Sequence, residues 1–249
     1  MRNDGRNADE LRNIKIIPDF NRYADGSVLI QCGNTMVLCN ASVEDKVPPH
    51  VSEGGWITAE YAMLPRANRS RSPREISVMK KSPRSTEIQR LIGRSLRAAF
   101  SLKDLGVRTI TVDCDVLQGD GGTRTASVTG GFLAVLMACR KLQAEGKLET
   151  IPLRAYTAAI SSGIVGGQVL LDLCYEEDSS AEVDFNAVMN ERGEILEIQG
   201  TGEGRPFTLK EEEALLASCK IGIDSVIAMQ KKVYSDWCEN LKGDNNVIK

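Results

Sequence analysis

The arrangement of apolar runs along this chain constrains its fold more than any other feature. Residues 27–32 and 35–42 are β-branched and apolar, and Gly33-Asn34 separates them, which predicts an antiparallel hairpin. Residues 56–61 predict a short strand. Residues 86–101 then repeat with helical period, Ile88, Leu91, Ile92, Ser95 and Ala99 sharing one face and Arg90, Arg94 and Arg97 another. Residues 109–117 alternate with period two, and a long helix of small and apolar residues is expected over 123–144. Strands are expected at 155–165 and 168–175, meeting at Gly166-Gly167, and a second hairpin at 182–190 and 194–200 around Arg192-Gly193. Amphipathic helices at 209–219 and 224–240 close the pattern. Hairpin, helix, strand, helix, strands, hairpin, helix predicts an α+β unit with mixed sheets packed against helices. Residues 193–203 faintly echo 35–44, which alone does not establish a duplication. The expected organisation is one domain over residues 1–240 and a polar tail over 241–249.

Composition removes several classes of protein. A charged fraction of 26% and a hydrophobic fraction of 42% are globular values, which argues against disorder. Aromatics make up 5%, too few for binding that relies on many stacking platforms. The longest apolar stretch, residues 132–139, is too short to span a bilayer. The first residues carry no apolar core, so neither a signal peptide nor secretion is expected, and the chain reads as cytoplasmic, with no membrane partner. Seven cysteines without a CxxC, five of them within apolar segments, read as buried free thiols in a reducing compartment. The lone His50 rules out a metal site built on two imidazoles.

A net charge of −3 hides two blocks of opposite sign. From Arg66 to Arg97 ten basic residues face only Glu75 and Glu87, whereas residues 155–191 hold no Lys or Arg while Asp172, Glu176, Glu177, Asp178, Glu182 and Asp184 crowd together. Basic and acidic blocks in one domain point to a polyanionic substrate and a divalent cation. The basic block includes a Ser/Pro-rich segment without periodicity, residues 68–85, which reads as a mobile loop suited to phosphate backbones. Arg84 stands at its junction with a helix, where free amides reinforce anion binding; Glu87 and Arg90 could instead pair with each other. In Asp120-Gly121-Gly122-Thr123-Arg124, glycines permit close backbone approach, a helix start aims N–H groups outward, and Thr123 and Arg124 add a hydroxyl and a guanidinium fork. That set suits phosphate, although a glycine-rich helix start without a ligand has the same sequence. A strand over 182–190 would place Glu182, Asp184 and Asn186 on one face, with Asp178 in the turn before it. Such carboxylates either form a solvated acidic loop or hold a hard cation such as Mg²⁺.

Together these residues resemble the ribonuclease PH family of phosphorolytic 3′-exoribonucleases. The resemblance runs from Arg2-Asn3-Asp4-Gly5-Arg6 through Trp56-Ile57-Thr58-Ala59-Glu60-Tyr61, Glu87 to Arg97, Asp113-Cys114-Asp115 and Asp120 to Ser127, and on to Gln199-Gly200-Thr201. It implies duplicated βαβ units with pseudo-two-fold halves. It also implies inorganic phosphate as co-substrate on Arg84, Gly122, Thr123 and Arg124, and catalytic Asp178 and Asp184. Mg²⁺ or another divalent cation would sit on Asp178, Asp184 and Glu182, and RNA would meet Arg66, Arg69, Arg71 and Arg74. The implied partners are transfer RNA precursors and other RNA with a free 3′ end, and further copies of the chain in a hexameric ring built as a trimer of dimers. The sequence departs from the family pattern at Pro83, Ser85, Arg69, Gly119 and Phe185, and none of these removes a charged residue of the implied site.

Overall fold

The computed structural model describes residues 2–75 and 82–244. Two sheets share one central helix. The first is mixed, in the order β1-β2-β3-β5-β4, from β1 (Ile14–Pro18), β2 (Gly26–Cys32), β3 (Thr35–Glu44), β4 (Trp56–Met63) and β5 (Thr109–Gln118). Helix α1 (Pro83–Ala99) connects β4 to β5, which are parallel, with Met63 beside Val116 at their carboxyl ends. The second sheet is antiparallel, in the order β7-β6-β8-β9, from β6 (Thr157–Val165), β7 (Gln168–Leu171), β8 (Val183–Asn190) and β9 (Ile195–Gly202). The βαβ crossover thus lies in the first half. In the second half the helix α4 (Leu209–Asp244) follows the last strand.

Helix α2 (Thr123–Ala144) has the bounds its sequence predicts, and it is buried without interruption from Thr125 to Cys139. Having no polar stripe, it is stable only where both sides are covered. One side lies on β2 and β3 and the other on β6. Phe132 is fully buried between Phe100 and Tyr156, with ring centroids 5.4 and 5.5 Å away. Burying such a side chain stabilises the fold by roughly 1.5–3 kcal/mol. Gln230 of α4 donates to the carbonyls of Thr129 (3.2 Å) and Thr157 (3.0 Å), tying α2, α4 and β6 together.

Four expectations change. The helices expected at 209–219 and 224–240 are one helix, α4, begun by a capping box in which Thr208 and Glu211 exchange hydrogen bonds. Gly222 does not interrupt it, because that position faces Leu171 and Ile160, and an added Cβ would lie 2.9 Å from a Leu171 methyl. The strand expected over 168–175 ends at Leu171, because Asp172 takes a left-handed φ of 54° and a one-turn helix, α3 (Tyr175–Asp178), follows. Helix α1 starts before residue 86: Ser82 accepts from the Ser85 amide at 3.0 Å and Pro83 occupies the first turn, where its missing N–H costs nothing. The first residues of the expected tail, 241–244, belong to α4, while 245–249, like Lys80 and Lys81 of the basic block, lie outside the described residues.

Candidate active site

A cavity of about 480 Å³ opens at the carboxyl ends of β4 and β5, where the start of α2 meets α3 and the start of β8. Arg84, Gly122, Thr123, Arg124, Asp178 and Asp184 all line it, although Arg124 lies 40 residues from Arg84 and 60 from Asp184 in the sequence. Gly121 and Gly122 hold positive φ values of 75° and 64°. A Cβ on Gly121 would lie 2.5 Å from the Leu173 carbonyl, and one on Gly122 2.8 Å from the Arg12 guanidinium, so the loop admits no larger residue. No side chain caps α2, which leaves its first-turn amides and positive dipole end aimed at the cavity. Arg124 is oriented by Gln199 of β9, to which its Nη1 donates at 3.1 Å. Arg84 is exposed in the first turn of α1.

The carboxylates come from two elements. Asp184 is the second residue of β8 and accepts from the Asn186 side-chain amide at 3.0 Å, as period two predicts. Asp178 ends α3. Burial pushes its carboxyl above the usual carboxylate range, the charge of Asp184 pushes it further, and Arg124 and Arg84 oppose the rise. Helix α3 is fixed from beneath: the Arg2 guanidinium donates to both Glu177 oxygens (2.7 and 2.6 Å) and to the carbonyls of Leu171 and Asp172. Arg12 holds the Asp172 carboxylate through Nε and Nη2 (3.0 and 2.7 Å), which stabilises the left-handed turn into α3. The Arg-Asn-Asp-Gly-Arg start of the chain is therefore a strut under Asp178.

Glu182 is not brought to the cavity. It lies one residue before β8, accepts from Arg205 at 2.7 Å and from the Gly167 amide at 2.8 Å, and is thereby turned toward the β6–β7 turn. Of the loop arginines, Arg69 lines the cavity and pairs with Glu176 at 3.0 Å, and Arg66 lines an adjoining cavity of about 720 Å³. Arg71 and Arg74 are exposed and line neither. Arg97 stacks on Trp56, 4.4 Å from its centroid, so it serves α1 packing rather than the cavity.

Three participants escaped the sequence reading. The Tyr61 hydroxyl lies 2.9 Å from the Thr123 hydroxyl, beneath the start of α2. Its signal was available: Tyr61 follows Ile57 and Ala59 on the inward face of β4, and a buried phenol needs a partner. Gln199 has no comparable signal, since its role depends on β9 lying beside β8. Ser161 also lines the cavity and accepts from the Leu173 amide at 3.3 Å.

The chain is similar to known proteins over nearly all of its length. Residues 10–141 match the model for the 3′ exoribonuclease family, domain 1, and residues 155–220 that for domain 2. The chain is 55% identical over 245 residues to Ribonuclease PH of Bacillus subtilis (strain 168), covering 97% of this chain and all of the relative. Among solved structures it is similar to rice (Oryza sativa) Rrp46, with a TM-score of 0.76 and 17% identity over 93% of this chain and 99% of that one. It is also similar to a chain of an Archaeoglobus fulgidus exosome with RNA bound to the active site, with a TM-score of 0.75 and 24% identity over 95% and 92% of the two chains. The structural likenesses concern the fold, while the family models and the close relative together cover almost the whole sequence. The chain belongs to the 3′ exoribonuclease family.

Proposed function

We propose that this protein is a phosphorolytic 3′-to-5′ exoribonuclease that trims the 3′ ends of transfer RNA precursors, releasing nucleoside diphosphates and able to run in reverse. The observation that carries this reading is one cavity that joins an anion cradle to a carboxylate pair. Arg84, Thr123, Arg124 and the first-turn amides of α2 form one wall, and Asp178 and Asp184 another. Inorganic phosphate attacks the last phosphodiester poorly in water, because both reactants are anions. The arginines neutralise and aim it, converting an encounter of like charges into an oriented one. Tyr61 fixes the rotamer of the Thr123 hydroxyl that the phosphate meets.

The carboxylates suit a hard cation. Asp178 is raised by burial and by the Asp184 charge, a repulsion that a bound divalent ion removes. No group of three His, Cys, Asp or Glu forms among the described residues, so such an ion would rest on Asp178 and Asp184 and on substrate oxygens, as Mg²⁺ commonly does. When bound, Mg²⁺ supplies positive charge toward the reacting phosphorus and the leaving 3′ oxygen. Either aspartate can hold the proton that this oxygen takes up. Arg66 and Arg69, with the exposed Arg71 and Arg74, face the RNA upstream. The protein acts as a hexameric ring, a trimer of dimers, in the cytoplasm; light scattering in solution tests the ring.

The deciding experiment incubates transfer RNA precursor with protein and Mg²⁺, with and without phosphate. Nucleoside diphosphates that form only with phosphate support the reading. Nucleoside monophosphates formed without phosphate would indicate hydrolysis and overturn it.

A further inference from the structure

Most residues lining the catalytic cavity are polar side chains or glycines, and among the described residues that line it there is one aromatic ring, that of Tyr175. The side chain is 52% exposed, so the fold gains little from burying it. Its position is nevertheless well defined. Tyr175 is the first residue of α3 and Asp178 the last, three positions on, which places both side chains on one side of the turn. The Tyr175 amide donates to Asp120 at 3.3 Å, and Glu177, two residues on, is clamped by Arg2. An anchored backbone therefore presents a half-exposed ring beside an anion cradle and a carboxylate pair. Met63 is the other large apolar residue of the wall. Flat apolar surface next to a phosphate site is complementary to a nucleotide, whose base stacks while its phosphate is held.

We propose that Tyr175 is the stacking platform for a nucleobase of one of the two nucleotides joined by the scissile linkage. The proposal rests on reading the cavity as a phosphorolytic RNA site. Every base has a π-face, so a single ring binds each 3′ end in turn regardless of its sequence, as an enzyme that removes successive nucleotides requires. One platform is also compatible with the scarcity of aromatics, since the ring is reused at each step.

The test uses single-stranded oligoribonucleotides of one length, either unmodified or carrying an abasic ribose that keeps its hydroxyls at the terminal, penultimate or a distant upstream position. Wild type, Tyr175→Phe and Tyr175→Ala are compared for phosphate-dependent shortening. In wild type, abasic ribose at the terminal or penultimate position should lower kcat/KM for RNA by about 5- to 150-fold, the range for loss of one base–aromatic stack, and the upstream substitution should not. Tyr175→Ala should show that loss on unmodified RNA and little further loss on the sensitive abasic substrate. Tyr175→Phe should behave as wild type, and the KM for phosphate should be the same in all three. Wild type indifferent to abasic ribose at both positions, or Tyr175→Ala as sensitive to it as wild type, would overturn the proposal. The wild-type comparison decides even if Tyr175→Ala fails to fold, and Tyr175→Leu then replaces it. Absence of nucleoside diphosphate from unmodified RNA with wild type is a separate result, and it overturns the phosphorolytic reading itself.

Discussion

Replacing Arg2 with Met tests whether the start of the chain supports the active site. Arg2 and Glu177 side chains are 4% and 8% exposed, and the guanidinium makes two contacts to the carboxylate, 2.6 and 2.7 Å, besides donating to the Leu171 and Asp172 carbonyls. Breaking a buried pair from one side leaves a charge without its partner, which costs about 3–5 kcal/mol. Arg6 is a poor substitute, since its Nη2 lies 3.6 Å from Glu177 and makes no hydrogen bond. For a chain of this size the melting temperature should fall by roughly 6–20 °C. The double variant Arg2→Met with Glu177→Leu should recover part of that loss, because no uncompensated carboxylate remains. Burial raises the Glu177 carboxyl, but Arg2 and the Cys174 amide outweigh it and hold the group below its ordinary value of 4.5. A lowered carboxyl stabilises the fold fully above that ordinary value and loses the contribution as pH falls through the lowered one. The gap between wild type and Arg2→Met, read from urea unfolding, should therefore be constant from pH 6 to 8 and narrow below about pH 4.5. At neutral pH, turnover should fall more than RNA affinity, because Asp178 loses its support. A single-variant cost below about 1 kcal/mol, or a double variant as unstable as the two single losses added, would refute the reasoning.

Arg124→Ala should raise the KM for phosphate at least tenfold or abolish saturation, and normal phosphate dependence in titrations would remove Arg124 from the cradle. Asp184→Asn should cut turnover by at least roughly a hundredfold with RNA binding kept. In the presence of EDTA the same variant should melt above wild type at pH 7, since Asp178 is raised partly by the Asp184 charge; the gap should close as acid protonates Asp178, and a lower melting point at pH 7 counts against the pair. Tyr61→Phe should raise the KM for phosphate several-fold with kcat nearly unchanged, because only the orientation of Thr123 is lost, and steady-state kinetics with phosphate varied reads this directly. Neutralising Arg69, Arg71 and Arg74 together should weaken binding of transfer RNA and flatten its salt dependence, by at most about one unit of slope per contact, while a short single-stranded substrate is affected much less; equal loss on both substrates would place these arginines in the chemistry.

How much of this was legible in the sequence depended on how local the cause was. The start of α2 was legible, because two glycines and an unbroken apolar run act within one turn of each other. Asp184 and Asn186 followed from period two. Glu182 followed from the same period and was misplaced, because its direction is set by Arg205, 23 residues away, which alternation cannot register. Helix α4 runs through residues 220–223, left between the two expected helices, and the reason for glycine at 222 is the approach of Leu171 and Ile160 from another part of the chain. Strand β1, Ile14–Pro18, and the four-residue helix α3 were too short to carry a period at all. Gln199, Ser161 and the strut from Arg2 to Glu177 are products of tertiary neighbourhood: the family resemblance marks the segments of Arg2 and Gln199 but not what those side chains touch.

The uninterrupted burial of α2 bears on how the protein can be divided. The two family models meet between residues 141 and 155, a natural place to cut the chain. A fragment ending there would carry α2 with the face that belongs against β6 open to water, and the other fragment would keep α4 on β6 but lack α2. Neither piece has a complete core, so each should aggregate when made alone. Mixed during refolding, they should recombine along the apolar seam, and phosphate-dependent activity should return only with both present. The boundary between the two matches is thus not a joint in the folded protein.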